Sequence, residues 1–252
     1  MKQRTVAAWS LVVPLAFAAA VIGSQSATQP ADIASLTEDA GEWQPLLNGR
    51  DFDGWSIVVR DGTAPSSLFR YTVEGVLHIS GETLASLTSD DEFGDYHLQL
   101  SYKWGQAPAG GNRDSGLLYH SYGDDTPVGG VWLASVECQM QQGDAGDAHF
   151  LGGPTGTVRV SDGHYDPAAE PQETSRRVRK SGEFEQAGEW NTLDVITRGD
   201  EAWHFVNGEL VMHLTDLKTA SGEPLAKGKL QLQSEGAELF VRDLKLRPLA
   251  ED

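Results

Sequence analysis

The chain has 252 residues, with 37 Asp and Glu against 19 Lys and Arg, and its formal net charge is −18. A surface that acidic repels phosphate backbones and anionic lipid, so nucleic acid is not the expected partner and neutral ligands are favoured. Cys138 is the only cysteine, which rules out an intrachain disulfide and a cysteine-based metal site.

Lys2 and Arg4 precede an apolar, Ala/Val-rich run from Thr5 to Ile22, and small residues follow at Gly23, Ser24, Ser26 and Ala27. This is the pattern of an export signal. Residues 1–27 are therefore expected to be a signal peptide, giving a bacterial periplasmic or secreted product with no membrane attachment after cleavage; the apolar run is just long enough to span a membrane, and an uncleaved anchor is the alternative. Residues 28–41 are small, polar and acidic and read as a linker, and the folded domain is expected over residues 42–250.

The turn-rich segment Asn48 to Trp55 leads into a strand at Ser56 to Val59. Tyr71 to Ile79 reads as a hairpin or a strand broken at Gly75, and Leu84 to Leu87 as a short strand. From Phe93 to Trp104 the alternation is clear, with Leu98, Leu100, Tyr102 and Trp104 on one face and His97, Gln99, Ser101 and Lys103 on the other. Further strands are expected at Leu117 to His120, Ser135 to Met140, Thr157 to Val160 and Trp190 to Thr197. Ala202 to Val206 and Glu209 to Leu214 flank Asn207-Gly208, a dipeptide suited to the positive φ angles of a type I′ turn. Strands at 228–234 and 238–247 close the chain. Residues 161–189, with Arg176, Arg177, Arg179 and Lys180, form a long loop, read as a solvated charge run with a lid as the sharper alternative. Nothing after residue 30 sustains a helical period, and the pattern predicts an all-β protein, a jelly-roll β-sandwich.

The region from Asn112 to Phe150 concentrates the chemistry. In the strand at 135–140, Val136, Cys138 and Met140 share an apolar face, while Glu137, Gln139 and Gln141 share the other. His120, Trp132, Asp144, Asp147 and His149 crowd the same stretch. Gln231 and Gln233 alternate with Leu230 and Leu232 in a comparable way, His204 with Trp203 and Phe205, and Lys103 with Tyr102 and Trp104. If these strands share an open sheet face, amides, a carboxylate and aromatic rings line it, a combination suited to sugar hydroxyls and ring faces. The expected partner is an oligosaccharide or glycoside. Asp144 and Asp147, with Asp124 and Asp125 nearby, can hold a hard cation such as calcium, and His149 would shift the preference toward a transition metal. A divalent metal is thus a candidate cofactor. No phosphate-cradling glycine loop, nucleophile-elbow serine or helical histidine pair is present. An ordinary glycosidase needs two carboxylates across the scissile bond. The strand of Glu137 supplies only one, which disfavours hydrolysis by a pair carried on that strand.

Five stretches, in order, resemble the 3-keto-disaccharide hydrolase family of the concanavalin A-like superfamily. They are Leu46 to Trp55; Asp114-Ser115-Gly116 running into Leu117 to His120; Glu137-Cys138-Gln139-Met140; Glu189-Trp190-Asn191 with His204 to Gly208; and Leu232 to Gly236 with Val241 to Leu244. The resemblance implies cleavage of glycosides oxidised at carbon 3, where the ketone acidifies the hydrogen on carbon 2. It casts Glu137 as base and His120 as the candidate acid. Lys103, Arg113 or a metal near Asp144 and Asp147 would polarise the ketone, and Trp104, Trp132, Gln139, His204, Gln231 and Gln233 would line the substrate site. The rival readings are a non-catalytic glycan-binding module, marked by binding without turnover of plain or 3-keto glycosides, and an envelope interaction domain with no ligand; sugar binding requires Trp104 or Trp132 to present a ring face to a cleft.

Overall fold

The computed structural model describes residues 31–107 and 111–250; the expected signal peptide over 1–27 lies outside them. The strands, in chain order, are β1 (Gln44–Pro45), β2 (Trp55–Val59), β3 (Phe69–Tyr71), β4 (Leu77–Ile79), β5 (Ala85–Ser89), β6 (Tyr96–Trp104), β7 (Gly116–Tyr122), β8 (Ala134–Gln139) and β9 (Ala148–Leu151). They continue as β10 (Thr155–Ser161), β11 (His164–Tyr165), β12 (Pro171–Thr174), β13 (Asn191–Arg198), β14 (Glu201–Val206), β15 (Glu209–Lys218), β16 (Lys229–Ser234) and β17 (Leu239–Pro248). Two single-turn helices, α1 (Ile33–Leu36) and α2 (Pro65–Leu68), complete the described elements, and no described helix is long and apolar enough to cross a membrane.

Two antiparallel sheets stack face to face as an all-β jelly-roll sandwich. The small sheet runs β2-β5-β16-β7-β8-β9, and the large one runs β11-β10-β15-β14-β13-β6-β17-β4-β3, with β1 added to β17 and β12 to β10. Leu117, Tyr119, Val136, Cys138, Leu230 and Leu232 of the small sheet meet Leu98, Leu100, Tyr102, Leu193, Val195 and Val241 of the large one in a continuous core. Each fully buried aliphatic side chain contributes about 1.5–3 kcal/mol. Because side chains alternate along each strand, the residues between these core positions on β7, β8 and β16 must face outward. That outward face is the one that carries Glu137.

Two differences from the sequence reading matter for function. Residues 31–41 of the expected linker are packed onto the domain. Asp32 caps α1, and Ile33, Leu36 and Ala40 pack on Ile196, Trp203, Phe205 and Leu249 against the outer face of the large sheet. The expected long loop over 161–189 carries β11 and β12 and continues along the acidic loop at 143–147. There Lys180 Nζ donates to the Gly143 carbonyl (2.8 Å), and the Gly143 N–H donates to Glu185 Oε2 (2.6 Å). The Asn207-Gly208 hairpin forms as expected, with φ of 52° and 86°.

Candidate active site

Three neighbouring strands make the floor. Antiparallel pairing sets Gly116 of β7 opposite Gln139 of β8, and Leu118 opposite both Glu137 of β8 and Gln231 of β16. Carried one pair forward, the same register sets Gln233 beside Gly116, and Asp114 and Glu235 follow just beyond the paired residues of β7 and β16. A hydrogen bond from Ser115 Oγ to the Gln233 carbonyl (2.9 Å) marks the alignment. On the other flank Gln141 Nε2 donates to Asp114 Oδ2 (2.7 Å).

Gly116 is thus the centre of a polar face, ringed by Glu137, Gln139, Gln233 and Asp114. A β-carbon there would lie 2.6 Å from Gln233 Oε1 and 2.8 Å from the Glu137 carboxyl carbon, too close for either. Both side chains therefore lean into the space that the missing β-carbon leaves. Glu137 is only 3% exposed and Gln233 1%. Gln233 Oε1, Asp114 Oδ1 and His149 Nε2 are buried without a hydrogen-bond partner, so this face holds unspent polar capacity. Gln139 is oriented differently, its Oε1 accepting the N–H groups of Met140 and Gln141 (2.7 and 2.9 Å).

The electrostatics follow from burial and like charge. Burial pushes the Glu137 carboxyl well above the usual carboxylate range, Glu235 and Asp114 push it further, and Arg177 partly opposes them. Burial, then Asp114, raises Glu235 to about 7. Burial also raises Asp114 itself. His149 Nδ1 lies 3.7 Å from Glu137 Oε2, but burial and then Arg177 lower the imidazole to about 4, so it is neutral at pH 7. Arg177 Nη2 reaches both Asp144 Oδ2 and Asp147 Oδ2 at 2.6 Å. The acidic loop is thereby bound to the segment expected to be a solvated charge run.

The structure brings Glu137, Gln139 and Gln233 onto one face and places Arg113 at its rim. The Arg113 guanidinium donates to the Gly105 carbonyl and to Gln142 Oε1 (2.8 Å), beside a hollow of about 180 Å³ that Gln141 and Asp144 also line. Several expected members are elsewhere. His120, cast as the acid, is fully buried between the sheets against the rings of Tyr96 and Tyr119. The β7 pairing slips between Tyr119 and Tyr122, His120 takes a left-handed φ of 49°, and this bulge turns the side chain inward. Burial lowers its imidazole to about 3, which leaves no proton to donate at neutral pH.

His204 also faces the core. Its Nε2 meets Tyr119 Oη (2.9 Å), while its neighbours Trp203 and Phe205 point outward beneath the segment that carries α1. Lys103 projects from the outer face of the large sheet, opposite Phe240. Trp104 donates to Glu185 Oε1 (3.2 Å) and is 8% exposed. Trp132 covers Leu118 and donates to the Ala85 carbonyl (3.3 Å), at 5% exposure. Neither indole offers an open face, so the ring face expected for sugar binding is not supplied by Trp104 or Trp132. Gln231 accepts from Leu133 N–H (3.0 Å) and donates to Thr88 Oγ1 (2.7 Å), so its amide holds the Trp132 loop down. Asp144 and Asp147 are joined through Arg177 while His149 turns to Glu137. The expected metal trio is not assembled, and among the described residues no group of three or more His, Cys, Asp or Glu has metal-site geometry.

Asp114, Glu235 and Arg177 are the members that sequence reasoning missed as site residues. Asp114 and Glu235 stood inside motifs already noted, and the register β16-β7-β8 is what brings them together. A roomier hollow of about 800 Å³ lies beside β1 and β17, lined by Trp43, Tyr71 and Arg242. It has none of the converging carboxyls, and chemistry rather than volume singles out the Gly116 face.

Residues 42–247 match the family model of the 3-keto-alpha-glucoside-1,2-lyase-like domain. Two structures provisionally described as glycosyl hydrolases from Parabacteroides distasonis ATCC 8503 are similar in fold. One has a TM-score of 0.53 at 19% identity, covering 82% of this chain and 94% of that one. The other has the same TM-score and identity, covering 83% and 100%. A β-glucanase of Bacillus licheniformis is similar at a TM-score of 0.45 and 14% identity, covering 83% and 98%. No curated protein sequence matches the chain.

Proposed function

The chain belongs to the 3-keto-alpha-glucoside-1,2-lyase-like family, a carbohydrate-active family, and from that premise we propose that it cleaves the glycosidic bond of 3-keto-glycosides by proton abstraction next to the ketone. The ketone at carbon 3 acidifies the hydrogen on carbon 2. Loss of that proton breaks the bond from carbon 1 to the glycosidic oxygen and forms a double bond between carbons 1 and 2. The departing oxygen takes up a proton, and water adds to the double bond afterwards. The observation that carries this reading is Glu137: a carboxyl 3% exposed, leaning over Gly116, with no hydrogen bond from a cationic side chain among the described residues. Such a group exchanges protons with a bound ligand rather than serving a structural ion pair. Gln139, Gln233 and Arg113 supply hydrogen-bond donors around it. The export signal expected over residues 1–27 supports a periplasmic or secreted site of action.

The test pairs a 3-keto disaccharide with its unoxidised parent. The expected result is cleavage of the first only, and loss of about 10²–10⁴ in rate for Glu137→Gln. Equal cleavage of both sugars, or full activity in the variant, refutes the proposal.

A further inference from the structure

The leaving oxygen needs a proton, and His120, walled into the core at 0% exposure, cannot supply it. The polar face holds another carboxyl. Glu235 follows directly on β16, two residues beyond Gln233, and continuing the β16–β7 register past its last pair, Leu232 with Leu117, carries it toward Asp114 on the side of the small sheet that holds Glu137. Among the charged neighbours that act on Glu137, Glu235 raises its carboxyl most, ahead of Asp114, while Arg177 opposes them. Carboxylates gathered together do not by themselves make a site. The second mark is Gln233, 1% exposed, whose Oε1 has no partner and points into the same space above Gly116.

We propose that Glu235 is a second catalytic carboxyl, and that it and Glu137 act as one pair sharing a single proton across the open face of Gly116. This rests on the 3-keto-glycoside reading and assigns roles within it. Two carboxyls converging in a partly desolvated site cannot both ionise cheaply, so one proton stays with the pair. Glu137 lies deeper and holds that proton; Glu235, half-buried and nearer solvent, is the carboxylate. Glu235 then removes the carbon-2 proton as base, and Glu137 gives its proton to the departing glycosidic oxygen. One proton enters the pair and one leaves, so its count is unchanged, and only its position has moved. The roles are the reverse of the sequence expectation, in which Glu137 was the base. Asp114, Arg177 and His149 are the other titratable groups facing the pair; Arg177 moderates its charge and neutral His149 does not titrate with it near pH 7.

The experiment compares Glu235→Gln and Glu137→Gln on two 3-keto-glycosides, one with a sugar leaving group and one with nitrophenolate. Glu235→Gln is expected to lose about 10²–10⁴ on both, because a base is needed whatever leaves. Glu137→Gln should lose comparably on the sugar and recover most of that on nitrophenolate, which departs without an acid. Full activity of Glu235→Gln overturns the proposal, as does rescue of Glu235→Gln but not Glu137→Gln by the better leaving group. A measurement independent of turnover separates this from the function itself. Carboxyl-carbon NMR of the Glu side chains should show the Glu137 midpoint falling when Glu235 becomes Gln, and an unmoved midpoint overturns the pairing. Wild-type inactivity on every 3-keto-glycoside with a shifted midpoint would refute the substrate reading while leaving the pair intact.

Discussion

Replacing Gly116 by Ala tests the site through its floor. Gly116 has no left-handed φ, so the backbone accepts alanine, and the lost flexibility of the unfolded chain favours the variant by about 0.4–1 kcal/mol. The methyl group, however, would sit 2.6 Å from Gln233 Oε1 and 2.8 Å from the Glu137 carboxyl carbon, where ordinary contact begins near 3.4 Å. Both side chains must retreat by more than half an ångström, the carboxyl oxygen further. Overpacking of this kind costs about 1–3 kcal/mol, for a net loss of about 0–2.6 kcal/mol and a Tm lower by up to about 10 °C. The effect on rate should be far larger. Displacing a reacting group by about 1 Å costs on the order of 10²-fold. Thermal unfolding measured beside turnover of a 3-keto-glycoside should therefore find a folded, slightly weakened and nearly inactive protein. Turnover close to wild type would refute the idea that the reaction takes place over Gly116.

Arg177→Gln leaves Asp147, 1% exposed, facing Asp144 without a counter-charge, and should cost about 2–3 kcal/mol in chemical denaturation. It also removes a cation that lowers Glu137, so Glu137 should titrate higher still by carboxyl NMR. His120→Asn suits the left-handed backbone at that position and should leave turnover unchanged; a large loss would return His120 to the mechanism. Glu235 is raised from 4.5 to about 7 in the folded state, so between those values the native protein binds more protons than the unfolded one. Stability should fall as pH rises through that window, and Tm scans from pH 5 to 7 should show a shallower decline in Glu235→Gln. In the active enzyme the same group should set a rising limb of kcat/KM with a midpoint near 7.

The alternation of β8 and β16 was legible residue by residue because both strands obey a strict period of two, and it placed Glu137, Gln139 and Gln233 on one face. It could not tell inside from outside on β14. The sequence showed His204 alternating with Trp203 and Phe205, yet the segment carrying α1 covers the two aromatics on the outer face and His204 turns inward. That cover comes from residues read as a linker, whose few apolar side chains are spaced over a single helical turn. His120 was misplaced for a local reason, since a bulge breaks the period and no residue type announces it. Arg177 was hidden in a segment without periodicity, and its partners lie 30 and 33 residues away. Asp114 and Glu235 were visible as residues but not as neighbours, because only the crossover that inserts β16 beside β7 makes them so.

The first and last strands of the domain lie side by side, with Gln44 opposite Leu246 and the Gly41 N–H donating to the Pro248 carbonyl at 2.8 Å. The domain is thus nearly a closed ring of chain, and a short peptide could join its ends while a new opening is cut at an exposed turn such as Asp162-Gly163. Circular permutants of that kind should fold to the same sandwich. The seam also belongs to the large sheet, whereas the Gly116 face looks outward from the small one. Any tether attached at the seam would hold the protein by its back and leave the carboxyl pair turned toward the surrounding medium.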